Sequence, residues 1–196
     1  MRSLIFSSPV LLGTSNRGKL SEISVFARQL GFEVIGLADE SLISLGCPPH
    51  VAEVAHSYEG NARLKGLEYS KWSKRACITD DTGIEIPLLA NFPGVFTAPW
   101  GIVRVRDLLG GRRVVEARFR CCMAYTEPSG RCVSVSGSID GELRDLDVID
   151  AMQPLPFSRF FYPLGLASSL HELLEKGLFQ YSHRYRAFDT LVRVLS

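Results

Sequence analysis

Residues 11–20 read LLGTSNRGKL, and this stretch sets the fold class because it joins an apolar strand to a helix. The apolar residues before it predict a buried strand over residues 4–12. From Lys19 onward apolar residues recur at helical spacing, and Gly31 is a natural C-terminal stop for that helix. The segment GTSNRGK, residues 13–19, is therefore predicted to lie between a strand and the N-terminus of a helix.

This segment has the spacing of a phosphate-binding P-loop without its metal-binding hydroxyl. Gly13 and Gly18 bracket four residues and Lys19 follows, but Leu20 stands where a Ser or Thr would bind magnesium. Small residues here would let backbone N–H groups face an anion at the helix N-terminus, with full charges from Arg17 and Lys19. An ordinary turn with two solvated cations fits the pattern equally well. If a metal is used, its protein ligands must come from elsewhere in the chain.

The composition is that of a globular protein with no nucleic-acid or membrane partner. The 196 residues are 46% hydrophobic and 22% charged, which suffices for one core, so we expect a single domain over residues 1–196. The net charge is +1 without a basic block, which argues against nucleic-acid binding. No apolar run approaches the ~18 residues of a membrane span. Five cysteines without a C-x-x-C motif favour a reducing, cytoplasmic location.

Strand and helix patterns alternate along the rest of the chain. The expected elements are strands at 32–37 and 77–79, a helix behind Ser57 that runs to residue 72, a hairpin of strands at 114–126 and 131–137, and a last helix behind Ser182. This mixture predicts an α/β fold.

Two adjacent carboxylates, Asp80 and Asp81, follow the strand at 77–79, which we expect to end there. Held near 4 Å they would repel each other by ~4 kcal/mol at an effective dielectric of 20, although neighbours on a strand point to opposite faces. A divalent cation would relieve that crowding, and oxygen ligands favour Mg²⁺. The alternative is an Asp-rich turn that caps Gly83.

Cationic side chains occur at two further places where they could meet a phosphate or a base. Asn61 and Lys65 lie four apart and so share one helix face, where Lys65 could reach a phosphate or be an ordinary surface lysine. The segment SHRYRAF begins with Ser182 as a helix cap and puts His183 and Arg184 in the first turn, where acidic residues are usual. Something negative should lie nearby, either a bound phosphate or purine or a carboxylate of the protein.

Taken in order, these motifs resemble the inosine triphosphate pyrophosphatase family, the house-cleaning purine nucleoside triphosphate pyrophosphatases. The resemblance runs from about Leu12 to Leu191 and rests on TSNRGKLSE, SYEGNARLK, TDDTGIEI, FPGVF, ARFRCCMAY, SGSIDGEL and SHRYRA. It implies an elongated α/β domain of two lobes around a long mixed sheet, with the active site in the cleft between the lobes, and a homodimer. It also implies Mg²⁺-dependent hydrolysis of a small-molecule nucleotide (ITP, dITP or XTP) to the monophosphate and pyrophosphate.

The resemblance also implies roles for individual residues. Asp81 and Lys65 match the catalytic positions. Asp81, Glu53 and Asp80 match the metal-binding acids, with Glu53 in VAEVAHSYEGNA where the family has E-x-x-G-x-T-x-x-x-N-A. The implied substrate-binding residues are Thr14, Ser15, Asn16, Arg17, Gly18, Lys19, Asn61, Thr82, Phe161, Tyr162, Ser182, His183 and Arg184.

The sequence departs from the family in the segment that binds the base. SRFFYPLG, residues 158–165, stands where the family has GFGYDPIF, so that Ser158 and Phe160 replace glycines and Tyr162 replaces an Asp. The lost glycines remove backbone freedom, and the lost Asp removes an acceptor for the purine edge. Two alternatives therefore stay open: a nucleotide-binding protein whose catalysis has lapsed, and a pyrophosphatase with an altered base preference.

Overall fold

The computed structural model describes residues 9–146 and 155–196. Its strands are β1 (Val10–Leu12), β2 (Val34–Gly36), β3 (Cys77–Ile86), β4 (Phe92–Pro93), β5 (Val114–Thr126), β6 (Cys132–Arg144) and β7 (Phe161–Pro163). Its α-helices are α1 (Arg17–Gln29), α2 (Tyr58–Ser73), α3 (Thr97–Leu109), α4 (Leu170–Glu175) and α5 (His183–Leu195). None of the helices in these ranges has the length and apolar character needed to cross a membrane.

The strands form one mixed sheet. The strand order is β2-β1-β3-β5-β6-β7, and β4 pairs with β3. Strand β1 is parallel to both β2 and β3, whereas β3–β4 and β6–β7 are antiparallel pairs. The predicted α/β class is therefore confirmed.

By its internal contacts the chain divides into two compact units. Among the residues that the structure describes, unit 1 comprises 9–81, 122–136 and 187–196, and unit 2 comprises 82–121, 137–146 and 155–186. The core of unit 2 is formed by aliphatic and aromatic side chains from β3, α3, β5, β6, β7 and α4. The expectation of a single domain stays a prediction.

Helix α1 follows β1 in unit 1 where the sequence predicts it. It buries Ile23, Phe26 and Ala27, which recur at the helical period. Phe188 of α5 lies with its ring centroid 6.2 Å from that of Phe26 and stacks 5.6 Å from Phe32. The end of α5 thus packs beside α1 through aromatic rings.

Helix α2 lies unusually close to the sheet because its buried face contains a glycine. A Cβ atom added at Gly66 would meet the side chain of Thr126 on β5 and would lie 3.2 Å from Oγ1 of Thr79 on β3. The Thr79 hydroxyl donates a hydrogen bond to the carbonyl oxygen of Ala62 at 2.6 Å, which fixes the helix against the strand. Asn61 and Lys65 belong to the same buried face.

The expectation that the third strand ends at Asp80 and Asp81 is wrong, and so is the alternative of an Asp-rich turn. Strand β3 continues through both carboxylates to Ile86. Asp is unfavourable in strands in general, but here each carboxylate has a polar partner from a helix, so the strand need not end. The second hairpin strand is also longer than predicted, since β6 runs from Cys132 to Arg144.

We predict that Gly66→Ala destabilises the protein. Overpacking costs about 1–3 kcal/mol, which exceeds the ~1 kcal/mol that Ala gains over Gly inside a helix. Urea unfolding followed by circular dichroism should therefore show a lower midpoint. Glu68→Ala, at an exposed position of the same helix, is the control and should leave the midpoint nearly unchanged. A Gly66→Ala variant as stable as the parent would contradict the close packing of α2.

Candidate functional site

The loop between β1 and α1 lies at the N-terminus of the helix, as predicted. Asn16 is the N-cap, and its side-chain oxygen accepts a hydrogen bond from the backbone N–H of Lys19 at 3.1 Å. The hydroxyl of Thr14 accepts from the backbone N–H of Asn16 at 3.2 Å, while Ser15 and Arg17 are exposed. The first turn of α1 contains no acidic residue. The positive end of the helix dipole therefore faces this loop without a carboxylate from the helix itself.

The two carboxylates of β3 are buried and point to partners on different helices. The Nζ atom of Lys19, on α1, lies 3.0 Å from Oδ2 of Asp80. The side-chain amide of Asn61, on α2, donates a hydrogen bond to Oδ2 of Asp81 at 2.9 Å. Successive side chains of a strand point to opposite faces, so the two carboxylates do not crowd each other as the sequence alone suggested they could.

Lys65 is a buried lysine rather than a surface one. Its ammonium group donates hydrogen bonds to the backbone oxygen of Asp80 at 2.7 Å and to Oε1 of Glu53. Asn61, one turn earlier, accepts a hydrogen bond from the backbone N–H of Ala55 at 2.9 Å, which ties down the loop that carries Glu53. Lys19, Lys65, Asn61, Glu53 and the two aspartates thus form one cluster within unit 1.

Burial and nearby charges shift the pKa values of Lys65 and Asp81 in this cluster. Burial alone would lower the pKa of Lys65, but the negative charges of Asp80, Glu53 and Asp81 outweigh burial and raise it, so the ammonium stays charged. Burial raises the pKa of Asp81, against the opposing effects of the Lys65 charge and the Asn61 hydrogen bond. A carboxylate with a raised pKa is a better proton acceptor near neutral pH.

The donor set of the cluster suits a magnesium ion that is bound together with a polyphosphate. Among residues 9–146 and 155–196, no three His, Cys, Asp or Glu side chains are arranged as a complete metal cage. Magnesium does not require such a cage, because it usually binds one or two carboxylates and completes its shell with water and phosphate. Asp81 and the partly exposed Glu53 provide two carboxylates of that kind.

The predicted base-binding residues Ser182, His183 and Arg184 lie in unit 2, and all three are buried. The Ser182 hydroxyl accepts a hydrogen bond from the backbone N–H of Tyr185 at 3.2 Å and so caps α5, as predicted. The ring of His183 stacks on Phe119 of β5, with ring centroids 4.4 Å apart and an interplanar angle of 9°. The basic first turn of α5 is therefore packed into the protein.

The substituted segment at 158–165 contributes a short strand, and its two proposed base-binding residues pack against protein groups. Phe161 is fully buried and packs on Phe119 at 4.7 Å between ring centroids. Tyr162 is partly buried, and the guanidinium of Arg144 lies 4.6 Å above its ring. Thr82 follows Asp81 on β3 and is partly buried. Substrate contacts by these residues stay predictions.

Two features of the site escaped the sequence analysis. Phe119, which packs against both His183 and Phe161, lies on β5. It belongs to the motif ARFRCCMAY and to the alternating strand pattern, but neither of them assigns it a role in the site. The ion pair between Glu53 and Lys65 joins a loop to a helix twelve residues away. No local pattern reports such a contact.

Known proteins with similar sequences match nearly the whole chain. A protein of Exiguobacterium sibiricum named dITP/XTP pyrophosphatase is 28% identical over 205 residues, covering 95% of this chain and 96% of its own length. A second dITP/XTP pyrophosphatase, from Exiguobacterium sp., is 30% identical over 173 residues, covering 83% of this chain and 82% of its own.

A solved structure and a family model extend the comparison. The Ham1 protein of Staphylococcus aureus superposes with a TM-score of 0.73 at 25% sequence identity, and the match covers 96% of this chain and 98% of that one. The family model described as the Ham1 family matches residues 10–194. The resemblance to the nucleoside triphosphate pyrophosphatases is thereby confirmed, and the chain belongs to the Ham1 family.

Proposed function

We propose that this chain is a metal-dependent pyrophosphatase that hydrolyses deaminated purine nucleoside triphosphates such as dITP and XTP to the monophosphate and pyrophosphate. The observation that carries the proposal is the cluster of Lys19, Lys65 and Asp81 at β3. The ammonium groups of Lys19 and Lys65 both contact Asp80, and their charges also act on the adjacent buried carboxylate of Asp81. The names of the similar proteins from Exiguobacterium support the choice of substrate.

The lysines and the loop would bind the polyphosphate. Lysine carries three N–H donors, so Lys19 can keep its contact with Asp80 and still donate to phosphate oxygens. Backbone N–H groups in the first turn of α1 have no partner within the helix, which makes that turn suitable for an anion. These positive groups stabilise the charge that develops on the departing pyrophosphate.

Asp81 would act on the water molecule. Its carboxylate orients or deprotonates a water aimed at the α-phosphorus, and its raised pKa favours proton acceptance. Asn61 holds Oδ2 of that carboxylate through a hydrogen bond of 2.9 Å. We propose Asp81 and Glu53 as ligands of Mg²⁺, which when bound supplies positive charge and Lewis acidity at the phosphate oxygens.

Base choice would depend on a hydrogen-bond donor from the segment at Ser182–Arg184. A 6-oxo purine offers an acceptor where adenine offers a donor. A fixed N–H donor in the protein therefore favours hypoxanthine or xanthine over adenine, because adenine would leave it unpaired.

We also propose that the enzyme is a cytoplasmic homodimer, and that residues 1–196 act as a single domain, as the family resemblance implies.

Replacing Asp81, the proposed general base, tests the reaction. Asp81→Asn keeps a side chain that can still bond to Asn61, so we expect a folded protein whose rate of pyrophosphate release from dITP falls by about 10²-fold or more. Asp140→Asn, which alters an exposed ion pair with Arg118 in unit 2, is the matched control and should retain parental activity. Activity of Asp81→Asn close to that of the parent would remove Asp81 from the chemistry.

A panel of nucleoside triphosphates tests the substrate. With Mg²⁺, we expect kcat/KM for dITP and XTP to exceed that for dATP by about 5- to 150-fold, the equivalent of ~1–3 kcal/mol for an unpaired polar group. Pyrophosphate release would be measured for purine and pyrimidine triphosphates alike. Preference for a pyrimidine would indicate altered base selection through the segment at 158–165. Nucleotide binding without turnover of any substrate would indicate lapsed catalysis.

A further inference from the structure

Asp80 contacts both lysines of the cluster, and it does so with two different groups. Its carboxylate Oδ2 lies 3.0 Å from Nζ of Lys19 on α1. Its backbone oxygen accepts a hydrogen bond of 2.7 Å from Nζ of Lys65 on α2. One residue in the middle of β3 therefore fixes ammonium groups that come from two helices.

The surroundings of Asp80 differ from those of the other two carboxylates. Its side chain has no exposed surface and is paired with a cation that is itself only 15% exposed. Asp81 accepts a hydrogen bond from the neutral amide of Asn61. Glu53 is ion-paired with Lys65, but its side chain is 39% exposed and so can be reached from solvent. A metal ion at the Asp80 carboxylate would have to compete with the ammonium group of Lys19. At Asp81 the hydrogen bond comes from an uncharged amide, and the charges of Lys65 and Lys19 lower its pKa against the larger effect of burial.

We propose that Asp80 is a positioning residue that holds Lys19 and Lys65 in place for the polyphosphate, and that it is not a metal ligand. The family resemblance groups Asp80 with the metal-binding acids, so the proposal gives Asp80 a different role. The inference rests on the proposed function, since it takes the lysines to be phosphate ligands. Fixing two flexible side chains before the substrate arrives lowers the entropic cost of binding.

Binding of inorganic tripolyphosphate in the presence of EDTA separates the two roles. If Asp80 positions the lysines, Asp80→Asn should weaken tripolyphosphate binding by about tenfold without any metal. In turnover with Mg²⁺, KM should rise by about tenfold while kcat changes by less than about threefold, as expected for lost uniform binding. The concentration of Mg²⁺ at half-maximal activity should stay the same.

Three further variants control the experiment. Asp189→Asn makes the same chemical change in an ion pair with the exposed Arg193 and should leave tripolyphosphate affinity unchanged. Lys19→Ala and the double variant Lys19→Ala/Asp80→Asn complete a cycle, in which loss of Asp80 should have much less effect once Lys19 is absent. If Asp80→Asn alone does not fold, the Mg²⁺ requirement of the double variant is compared with that of Lys19→Ala. An equal requirement supports the positioning role, and a raised one would overturn it.

The outcomes distinguish this proposal from the proposed function. Unchanged or tighter tripolyphosphate binding by Asp80→Asn, with a raised Mg²⁺ requirement, would overturn the positioning role and make Asp80 a metal ligand. Absence of tripolyphosphate binding by the parent chain would overturn it too, because the lysines would then form no phosphate site. A parent that binds tripolyphosphate but hydrolyses no nucleotide would contradict the proposed function. The positioning role of Asp80 would then still be tested by the tripolyphosphate affinity of Asp80→Asn.

Discussion

Two adjacent carboxylates are buried in a strand at the middle of the sheet, and the rest of the candidate site follows from the need to compensate them. Transferring a charge from water into a protein interior costs several kcal/mol per ion unless partners replace the lost hydration. Here Lys19 pairs with Asp80, and Asn61 donates to Asp81. These partners belong to α1 and α2, so the registers of both helices are tied to β3.

The groups that compensate the two buried carboxylates also form a site that suits an anion and a cation together. Two lysines and three carboxylates leave one net negative charge in the cluster, which a divalent cation would more than balance. Both ammonium groups have acceptors within the protein, and each still carries donors for further oxygens. The lysines therefore have partners within the protein and could also donate to phosphate oxygens, as we propose. The close approach of α2 at Gly66 is what allows Lys65 to reach the backbone of β3.

The sequence predicted the helices best where apolar residues recur at the helical period and a capping residue precedes them. The helix behind Ser57 and the last helix behind Ser182 begin where the sequence indicates, whereas α1 begins at Arg17, two residues before the predicted start at Lys19. The end of β3 was predicted wrongly because Asp is unfavourable in strands. The compensating partners are distant in sequence, since Lys19 lies 61 residues before Asp80 and Asn61 lies 20 residues before Asp81, so no local pattern reports them. Contacts such as Glu53 with Lys65 and Phe119 with His183 depend on tertiary packing and leave no local signal.

The most direct test of the account is a crystal structure of the protein with Mg²⁺ and a non-hydrolysable dITP analogue. The account predicts that Nζ of Lys19 and of Lys65 lie within about 3 Å of phosphate oxygens, the distance of a charge-assisted hydrogen bond. It also predicts that a carboxylate oxygen of Asp81 lies about 2.1 Å from the magnesium ion. A polyphosphate bound away from both lysines, or a metal ion out of reach of Asp81, would contradict it.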